Sequence, residues 1–365
     1  MDSIKKNILN NAKSKVILKH IFSYITEYKL LILIKCNKLI QKKLGLGIID
    51  YKNYYFEHIE IEIYPKLKKE KNIFINFLPK SKSYYHIYFN DMNHKEIKRN
   101  YFTRNDNIQK IKIVLDKEIK SFEKLFEYCS CIEKINFKKF YRNDINDMNN
   151  MFSGCASLKE INMSNLITEN VTNMSWMFSG CVSLTKINLS NFNTNQVTNM
   201  TRMFNNCKSL QELNLNNFNT TNVTDMSCMF SGCASLQKLY INNFDTQNAT
   251  NMKLMFEECS ALKELNINNF NTNNVTNMKG MFFKCESLKK LNLNNFNIYK
   301  VKDMGEMFAK CTSLEELNID NFYFNDETIL GCMFSDLSED LKNELRKRFN
   351  SYRYNSAFRN LNYYY

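Results

Sequence analysis

Eight cysteines stand at one fixed spacing in this chain of 365 residues, and thiols can bind a metal, form disulfides or lie buried as small apolar groups. The set, with 26 residues from each member to the next, is Cys129, Cys155, Cys181, Cys207, Cys233, Cys259, Cys285 and Cys311. A zinc site needs ligands in close pairs of the CxxC kind, and only Cys129 and Cys131 approach that spacing, without a second pair. The fixed interval therefore indicates one column of a repeat, and we expect buried free thiols with no metal site.

No catalytic set of residues can be assembled from the sequence. The four histidines, His20, His58, His86 and His94, all lie outside the repeats. No Ser-His-Asp order, phosphate loop or metal triad stands at a recognisable spacing. We therefore expect a protein that is not an enzyme and that needs no cofactor.

The net charge of +13 is concentrated in the N-terminal third of the chain. Residues 1–120 hold 25 Lys and Arg against 12 Asp and Glu, whereas residues 121–365 hold 25 of each kind. The lysines are scattered among acids and aromatics without a run of five basic residues, which favours a solvated surface over a nucleic-acid site. The first residues, MDSIKKNILNNAKSK, lack the apolar core of a signal peptide, and the apolar run Leu30–Ile34 is too short to span a bilayer. We expect a cytoplasmic or nuclear protein that neither spans a membrane nor binds nucleic acid.

The cysteine column belongs to a repeat whose other columns are equally regular. A Met-Phe pair recurs with the same period, beginning at Met151, Met177, Met203, Met229, Met255, Met281, Met307 and Met333. One unit cannot bury its apolar residues alone, but stacked units bury them as a continuous core. The segment Leu184–Leu189 alternates as a strand does, and Met200, Met203 and Phe204 are spaced like one face of a helical turn. The pattern predicts an α/β solenoid with a parallel sheet on its concave face and short helical or 3₁₀ turns on its convex face.

The segment VTNMSWMFSGCVSLTKINLSNFNT, Val171 to Thr194, resembles the Met-Phe subtype of the BspA-like leucine-rich-repeat family. The resemblance covers about residues 119–334 and implies a leucine-rich-repeat solenoid that binds other proteins. Many members of that family are described as surface proteins that attach to host or neighbouring proteins. A surface adhesin is therefore a further interpretation, although this sequence shows no export signal.

Several polar columns of the repeat predict structural roles. We expect the asparagines equivalent to Asn191 to form turns by bonding their own backbone, and Phe192 and its equivalents to lie in the core. The threonines equivalent to Thr194 and Thr198 are predicted to satisfy backbone groups between repeats.

The outward positions of the predicted strands carry the candidate binding site. One column alternates in sign at every repeat: Lys134, Glu160, Lys186, Glu212, Lys238, Glu264, Lys290 and Glu316. The next column is asparagine in every repeat but one, which carries Tyr240, and a central aromatic residue on a polar face is typical of interface anchors. The predicted site comprises Lys186, Asn188, Glu212, Asn214, Lys238, Tyr240, Glu264 and Asn266. Alternatively, the charges only stabilise the stack, and Tyr240 is a neutral substitution.

The sequence divides into four regions. Residues 1–56 are predicted to be helical, 57–115 to form a small β region, 116–336 to form the solenoid and 337–365 to form a helical cap. The core Leu18–Ile25, LKHIFSYI, resembles an F-box, although Lys15 and Val16 replace the usual Leu-Pro opening. The resemblance implies a ubiquitin-ligase subunit bound at these helices and a substrate adaptor as an alternative function. A helical cap explains the same residues.

Overall fold

The computed structural model describes Lys42 and residues 58–78, 81–90, 95–350 and 352–361. The predicted F-box-like or cap region, residues 1–56, lies outside the described residues apart from Lys42. The interpretation as a ubiquitin-ligase adaptor depends on those residues and therefore stays a prediction.

Alternating apolar residues in the first described part of the chain form strands, as the sequence predicts. The strands are β1 (Ile59–Pro65), β2 (Asn72–Ile73), β3 (Tyr85–Phe89), β4 (Tyr101–Phe102), β5 (Ile111–Leu115), β6 (Ile132–Lys139), β7 (Glu160–Asn162), β8 (Glu212–Asn214), β9 (Lys238–Tyr240), β10 (Lys290–Asn292) and β11 (Glu316–Asn318). Helix α1 is Glu339–Arg348, and 3₁₀ turns are Lys82–Tyr84, Arg104–Asp106 and Tyr352–Phe358. Five strands form one sheet in the order β3-β5-β1-β6-β7.

That sheet joins the N-terminal strands to the repeats. Strand β1 is antiparallel to both β5 and β6, whereas β6 is parallel to β7 in the first full repeat. Its inward side chains, such as Ile61 and Ile113, are fully buried. The sheet therefore continues across the predicted boundary at residue 115, and the division into domains stays a prediction.

The leucine-rich-repeat solenoid is confirmed, but its strands pair less regularly than expected. Parallel pairing joins β6 to β7, β8 to β9 and β10 to β11, each with residues 26 positions apart in register. Residues 186–188 and 264–266 follow the same course without forming assigned strands. The parallel sheet is therefore divided into pairs.

The more regular hydrogen bonding between repeats runs along the Met-Phe segment, which we call the turn ladder (residues 147–154 and their equivalents). The amides of Met148, Asn150 and Phe152 donate to the carbonyl oxygens of residues 173, 175 and 177 in the next repeat. The amides of Met151 and Ser153 donate three residues back within their own repeat, and that of Asn149 donates to the Asp147 side chain. The segment is thus a series of tight turns where a helical or 3₁₀ turn was expected, because every second amide serves the neighbouring repeat. Parallel bridges follow this ladder from Ser121 to Ile329.

Aromatic rings stack through the interior at each repeat. The rings from Phe126 to Phe334, one per repeat, lie 5.5 to 6.0 Å from their neighbours and within 12° of parallel. The predicted second column is also buried, with Phe192 and Phe218 stacked at 6.4 Å. The eight cysteines spaced 26 residues apart, from Cys129 to Cys311, are also buried and are free thiols, as predicted.

Polar side chains link successive repeats through the backbone. The Asn191 amide donates to the carbonyl oxygens of Met163 and Leu166 in the preceding repeat, at 3.0 and 2.9 Å. The expectation that this column bonds its own backbone was therefore wrong. The buried Thr194 hydroxyl donates to the carbonyl oxygen of Asn219 and accepts from its amide, both at 2.8 Å, so this column does connect repeats.

The C-terminal residues cover the last repeat. Ser338 caps α1 by accepting a hydrogen bond from the Leu341 amide, and acidic residues occupy the first turn, as the sequence predicts. Leu341, Leu345 and Phe349 are buried against the solenoid. Within the described residues, no helix has the length and apolar character that crossing a membrane requires.

Candidate functional site

The predicted site residues lie on one surface, which we call the strand face (residues 134–136, 160–162, 186–188, 212–214, 238–240, 264–266, 290–292 and 316–318). Seven of the eight have exposed side chains, and Tyr240 is half-buried. Parallel pairing of β8 with β9 places Glu212 beside Lys238 and Asn214 beside Tyr240.

Shallow grooves cross the strand face, and two of them contain residues of the predicted site. The larger has a volume of about 840 Å³, and its lining includes Lys238, Tyr240, Glu264 and Asn266. The smaller, of about 610 Å³, includes Lys186 and Asn188. Glu212 and Asn214 lie between the two and line neither, so the predicted set is one surface but two concavities.

Apolar side chains also reach the larger groove. Leu239, Leu265 and Leu291 line it. Leu239 and Leu265 are half-buried, whereas Leu291 and Leu213 of the same column are buried. The sequence predicts Leu213, Leu239 and Leu265 to point inward alike, because the column gives no signal that separates them. The larger groove therefore combines one aromatic residue with three leucines, two of which are partly exposed.

The alternating charges are paired only at the two ends of their column. Lys134 Nζ lies 2.6 Å from a Glu160 carboxylate oxygen, and Lys290 Nζ lies 2.7 Å from one of Glu316. The hydrogen bond from Lys290 lowers the pKa of Glu316. Between these ends, none of the four central residues forms an ion pair of 4 Å or less with another described residue. The four are Lys186, Glu212, Lys238 and Glu264. Stacking alone therefore explains the charges at the ends better than those in the centre.

The outward asparagines have a structural role that the repeat pattern did not predict. The side-chain oxygens of Asn188, Asn214 and Asn266 each accept a hydrogen bond from the amide two residues later, at 3.0 to 3.2 Å. This contact is an Asx turn. The sequence feature that indicates it is the asparagine two positions before the amide that donates. The carbonyl half of each side-chain amide is consequently occupied.

Tyr240 interrupts this arrangement without leaving the turn unsatisfied. The Asn242 amide, which has no asparagine two positions earlier, donates instead to the side-chain oxygen of Asn216 in the preceding repeat, at 3.0 Å. The turn is thus stabilised from a neighbouring repeat. Position 240 is free to carry an aromatic side chain.

A second cluster of titratable residues lies in the N-terminal sheet and was not foreseen. Buried His86 places Nε2 3.0 Å from a carboxylate oxygen of Asp116 and Nδ1 3.0 Å from one of Glu96. His58 Nε2 approaches the other Asp116 oxygen at 3.1 Å. Burial lowers the pKa of His86, but its hydrogen bonds to the Asp116 and Glu96 carboxylates, together with their charges, more than offset this and raise it overall. Nothing in the sequence signals the cluster, because its members are brought together only by strand pairing.

The cluster is suited to holding strands together through charge. No set of three or more His, Cys, Asp or Glu side chains arranged to hold a metal ion occurs in the described part of the chain. An imidazole whose two nitrogens both face carboxylates is most favourable as the doubly protonated cation. We therefore assign His86 a structural role between two carboxylates.

Comparisons with known proteins place the repeats in a family. Residues 120–240 and 235–347 match a family model described as "Mycoplasma protein of unknown function, DUF285", and residues 50–174 match "BspA type Leucine rich repeat region (6 copies)". A structure titled "Crystal structure of TLR13-ssRNA13 complex" aligns at 17% identity over 56% of this chain and 35% of that one, with a TM-score of 0.22, which is too low to support any argument. No curated protein matches the sequence. Since the two matches to the first model together span more than half of the chain, the protein belongs to the DUF285 family, and it carries leucine-rich repeats of the BspA type.

Proposed function

We propose that the protein is a non-enzymatic interaction module that binds a partner protein on the strand face, with Tyr240 at the centre of the contact. The observation that carries the proposal is the larger groove, where Tyr240, Leu239 and Leu265 meet the unpaired charges of Lys238 and Glu264.

The composition of this groove matches the anatomy of protein interfaces. Such interfaces have an apolar centre, often with a tyrosine, surrounded by polar groups that exclude water from it. Lys238 and Glu264 carry opposite charges and would have to give up no internal ion pair to bind a partner. The partner is therefore expected to present an apolar side chain flanked by charges of both signs.

The dimensions of the groove suit a helix or an extended peptide. Its lining runs from Gln237 to Asn318 and so crosses four repeats. At ~4.8 Å between neighbouring strands, this is a length of roughly 15–20 Å. A small folded domain could extend the contact over the adjoining repeats.

The test is quantitative capture of partners from the native cell by the full chain and its variants. Tyr240→Asn is the sharpest change, because asparagine is the residue of this column in neighbouring repeats and its side chain can rebuild the Asx turn. We expect this variant, like Tyr240→Ala, to weaken the binding of one specific partner by ~1–3 kcal/mol without lowering the stability of the protein. Lys238→Glu should weaken the binding of the same partner.

Tyr299→Asn is the matched control. Tyr299 is 81% exposed off the strand face, and its column also contains asparagine, at Asn273 and Asn325. It should leave the partner's affinity unchanged. Equal recovery of all partners by wild type, both Tyr240 variants and Lys238→Glu would rule out the strand-face site.

A further inference from the structure

A cluster of cations lies on the loop between β1 and β2, which we call the lysine loop (residues 66–71). Its sequence is KLKKEK, and Lys66, Lys68, Lys69 and Lys71 are all exposed, with Glu70 as the loop's one acid. None of the four lysines has an ion pair within 4 Å of another described residue. The N-terminal charge excess of the sequence thus appears in part as a local concentration of cations without ion pairs among the described residues, of which Lys71 lies over the Tyr101 ring, 4.3 Å from its centre.

The backbone of the lysine loop is held firmly from beneath. The Lys66 amide donates to the Cys131 carbonyl oxygen at 2.7 Å, and the Cys131 thiol donates to the Ile73 carbonyl oxygen at 3.1 Å. The buried side chain of Asn72 accepts hydrogen bonds from the amides of Lys68 and Lys69, at 2.8 and 2.9 Å. A loop fixed in this way loses little conformational entropy when it binds a ligand.

The lysine loop forms one wall of a groove. The cavity has a volume of about 590 Å³, and residues Thr103, Arg104 and Asn105 form the opposite wall. Arg104 is exposed and lies in a 3₁₀ turn that a Thr103–Asp106 capping box stabilises. Leu67 in the groove is 39% exposed, and nearby Ile73 is 43% exposed. The groove therefore offers three cations, from both walls, against one acid, Glu70, together with the apolar surface of Leu67.

We propose that this groove binds an acidic polypeptide segment, with carboxylates against Lys68, Lys69 and Arg104 and an apolar side chain against Leu67. Unpaired cations on a preorganised surface attract carboxylates and increase the rate of association. A sugar-phosphate backbone would use the cations but leave Leu67 and Ile73 exposed to water. A concave site also fits a chain segment better than a flat lipid surface.

The position of the groove supports a polypeptide as the occupant. Lys66 and Lys68 help to lower the pKa of Glu133, after the larger effect of its hydrogen bond with Lys159. Glu133 adjoins Lys134, the first member of the strand face, so the lysine loop borders that face. The choice of a polypeptide rests in this respect on the proposed function, since one partner chain could contact both surfaces.

The experiment measures binding of a fluorescein-labelled peptide, rich in glutamate with interspersed leucines, to the full chain by fluorescence anisotropy. Lys68→Glu/Lys69→Glu should weaken binding about ten-fold or more, because two attractions become repulsions. The hydrogen bonds to Asn72 come from backbone amides, so the loop should keep its shape. Lys208→Glu/Lys302→Glu is the control with the same charge change at two exposed lysines in the repeats, and it should change the affinity less than about two-fold.

Further arms separate the outcomes. Leu67→Ser should weaken the binding of the leucine-containing peptide but not that of labelled polyglutamate. Added salt should weaken the binding of both peptides. Tyr240→Asn should not change the affinity for this peptide. The strand-face proposal and the lysine-loop proposal can therefore fail independently of each other. Unchanged affinity in Lys68→Glu/Lys69→Glu, or binding that depends on the loop only with single-stranded DNA or anionic lipid vesicles, would overturn the proposal.

Discussion

The Cys207 thiol donates a hydrogen bond to the carbonyl oxygen of Phe178 in the preceding repeat, 3.2 Å away. The same oxygen also accepts the amide of Cys181 within its own repeat. Equivalent thiol contacts of 3.0 to 3.3 Å recur from Cys155 to Cys311. Cysteine is the small side chain that fills this buried place and still donates a hydrogen bond, which explains why each repeat keeps it.

The buried thiols should make the protein less stable at alkaline pH. Burial raises the pKa of the Cys233 and Cys311 thiols to about 12, and raises that of Cys207 well above its usual value. Unfolded thiols lose their protons from about pH 8.5, while the folded ones keep theirs. The stabilising contribution is therefore complete below that pH and is lost as the pH rises above it. Urea unfolding between about pH 7.5 and 10 should show a falling midpoint.

A thiol titration gives the control for this prediction. In the folded protein the cysteine column should react slowly with a thiol reagent, because it is buried and protonated. After unfolding without a reductant, nearly all twelve cysteines should react. A count of four or fewer would show that the column is oxidised and that the alkaline prediction has no basis.

Gly232→Ala should destabilise the solenoid by about 1–3 kcal/mol. Gly232 lies in the turn ladder with φ of 74°, and an added Cβ would lie 2.6 Å from the side-chain oxygen of Asn206. Gly331→Ala is the matched control, since a Cβ there meets no atom within 4 Å and the φ of Gly331 is not positive. Thermal melts of the two variants should differ clearly. Equal melting temperatures would show that the turn ladder tolerates strain by local rearrangement.

The sequence predicts the solenoid well because burial alone determines it. Residues such as Met203, Phe204 and Cys207 recur at one interval, and only stacking can bury them all. The turn ladder could not be predicted from the same residues. The spacing of Met200, Met203 and Phe204 fits one helical face and a series of tight turns equally well, and the choice depends on which backbone amides face the next repeat.

The candidate site was predictable in its location but not in its chemistry. Alternation along each repeat predicts that Lys238 and Tyr240 point outward; Lys238 is exposed and Tyr240 is half-buried, while their role in binding stays a prediction. Whether Lys238 has an ion pair, or Leu239 is partly exposed, depends on how closely neighbouring strands approach, and the repeat pattern is the same in either case. The contact between His86 and Asp116 depends on pairing between distant strands.

His86 should stabilise the N-terminal sheet at mildly acidic pH. Its pKa in the folded protein is raised overall, so its contribution is complete below the unfolded value of about 6.5 and is lost as the pH rises through the folded value. The groups that face it include Asp116 and Glu96, with His58 on the same Asp116 carboxylate and Lys98 beside Glu96. Urea unfolding followed by circular dichroism should show this loss above about pH 6.5.

His86→Gln removes the titrating ring and should remove that pH dependence, although the variant will be less stable throughout because two carboxylates lose their cation. His58→Gln serves as the comparison and should keep most of the pH dependence. An unchanged slope in His86→Gln would mean that another group is responsible.

Deleting residues 337–365 should damage the solenoid more than removing one internal repeat. The carbonyl oxygens of Ser356 and Ala357 accept the amides of Cys332 and Phe334, at 2.9 and 2.8 Å, and so replace those of a further repeat. Phe349 and Phe358 cover the last ring of the stack, that of Phe334. Without these contacts the apolar end of the core and its unpaired amides would face water, so we expect aggregation or a clearly lower melting temperature.

The comparison is a chain that lacks residues 203–228, one whole repeat. Its flanking repeats present matching surfaces: Phe178 can stack on Phe230, and the thiol of Cys233 can reach the carbonyl oxygen of Phe178 as that of Cys207 does now. Both ends of the solenoid stay covered, so the loss should be limited to the contacts of one unit. Thermal melts and light scattering on the two deletions decide the question. If the internal deletion proves the more damaging, stability depends on more than contacts between neighbouring repeats, and the cap does not have the role assigned to it.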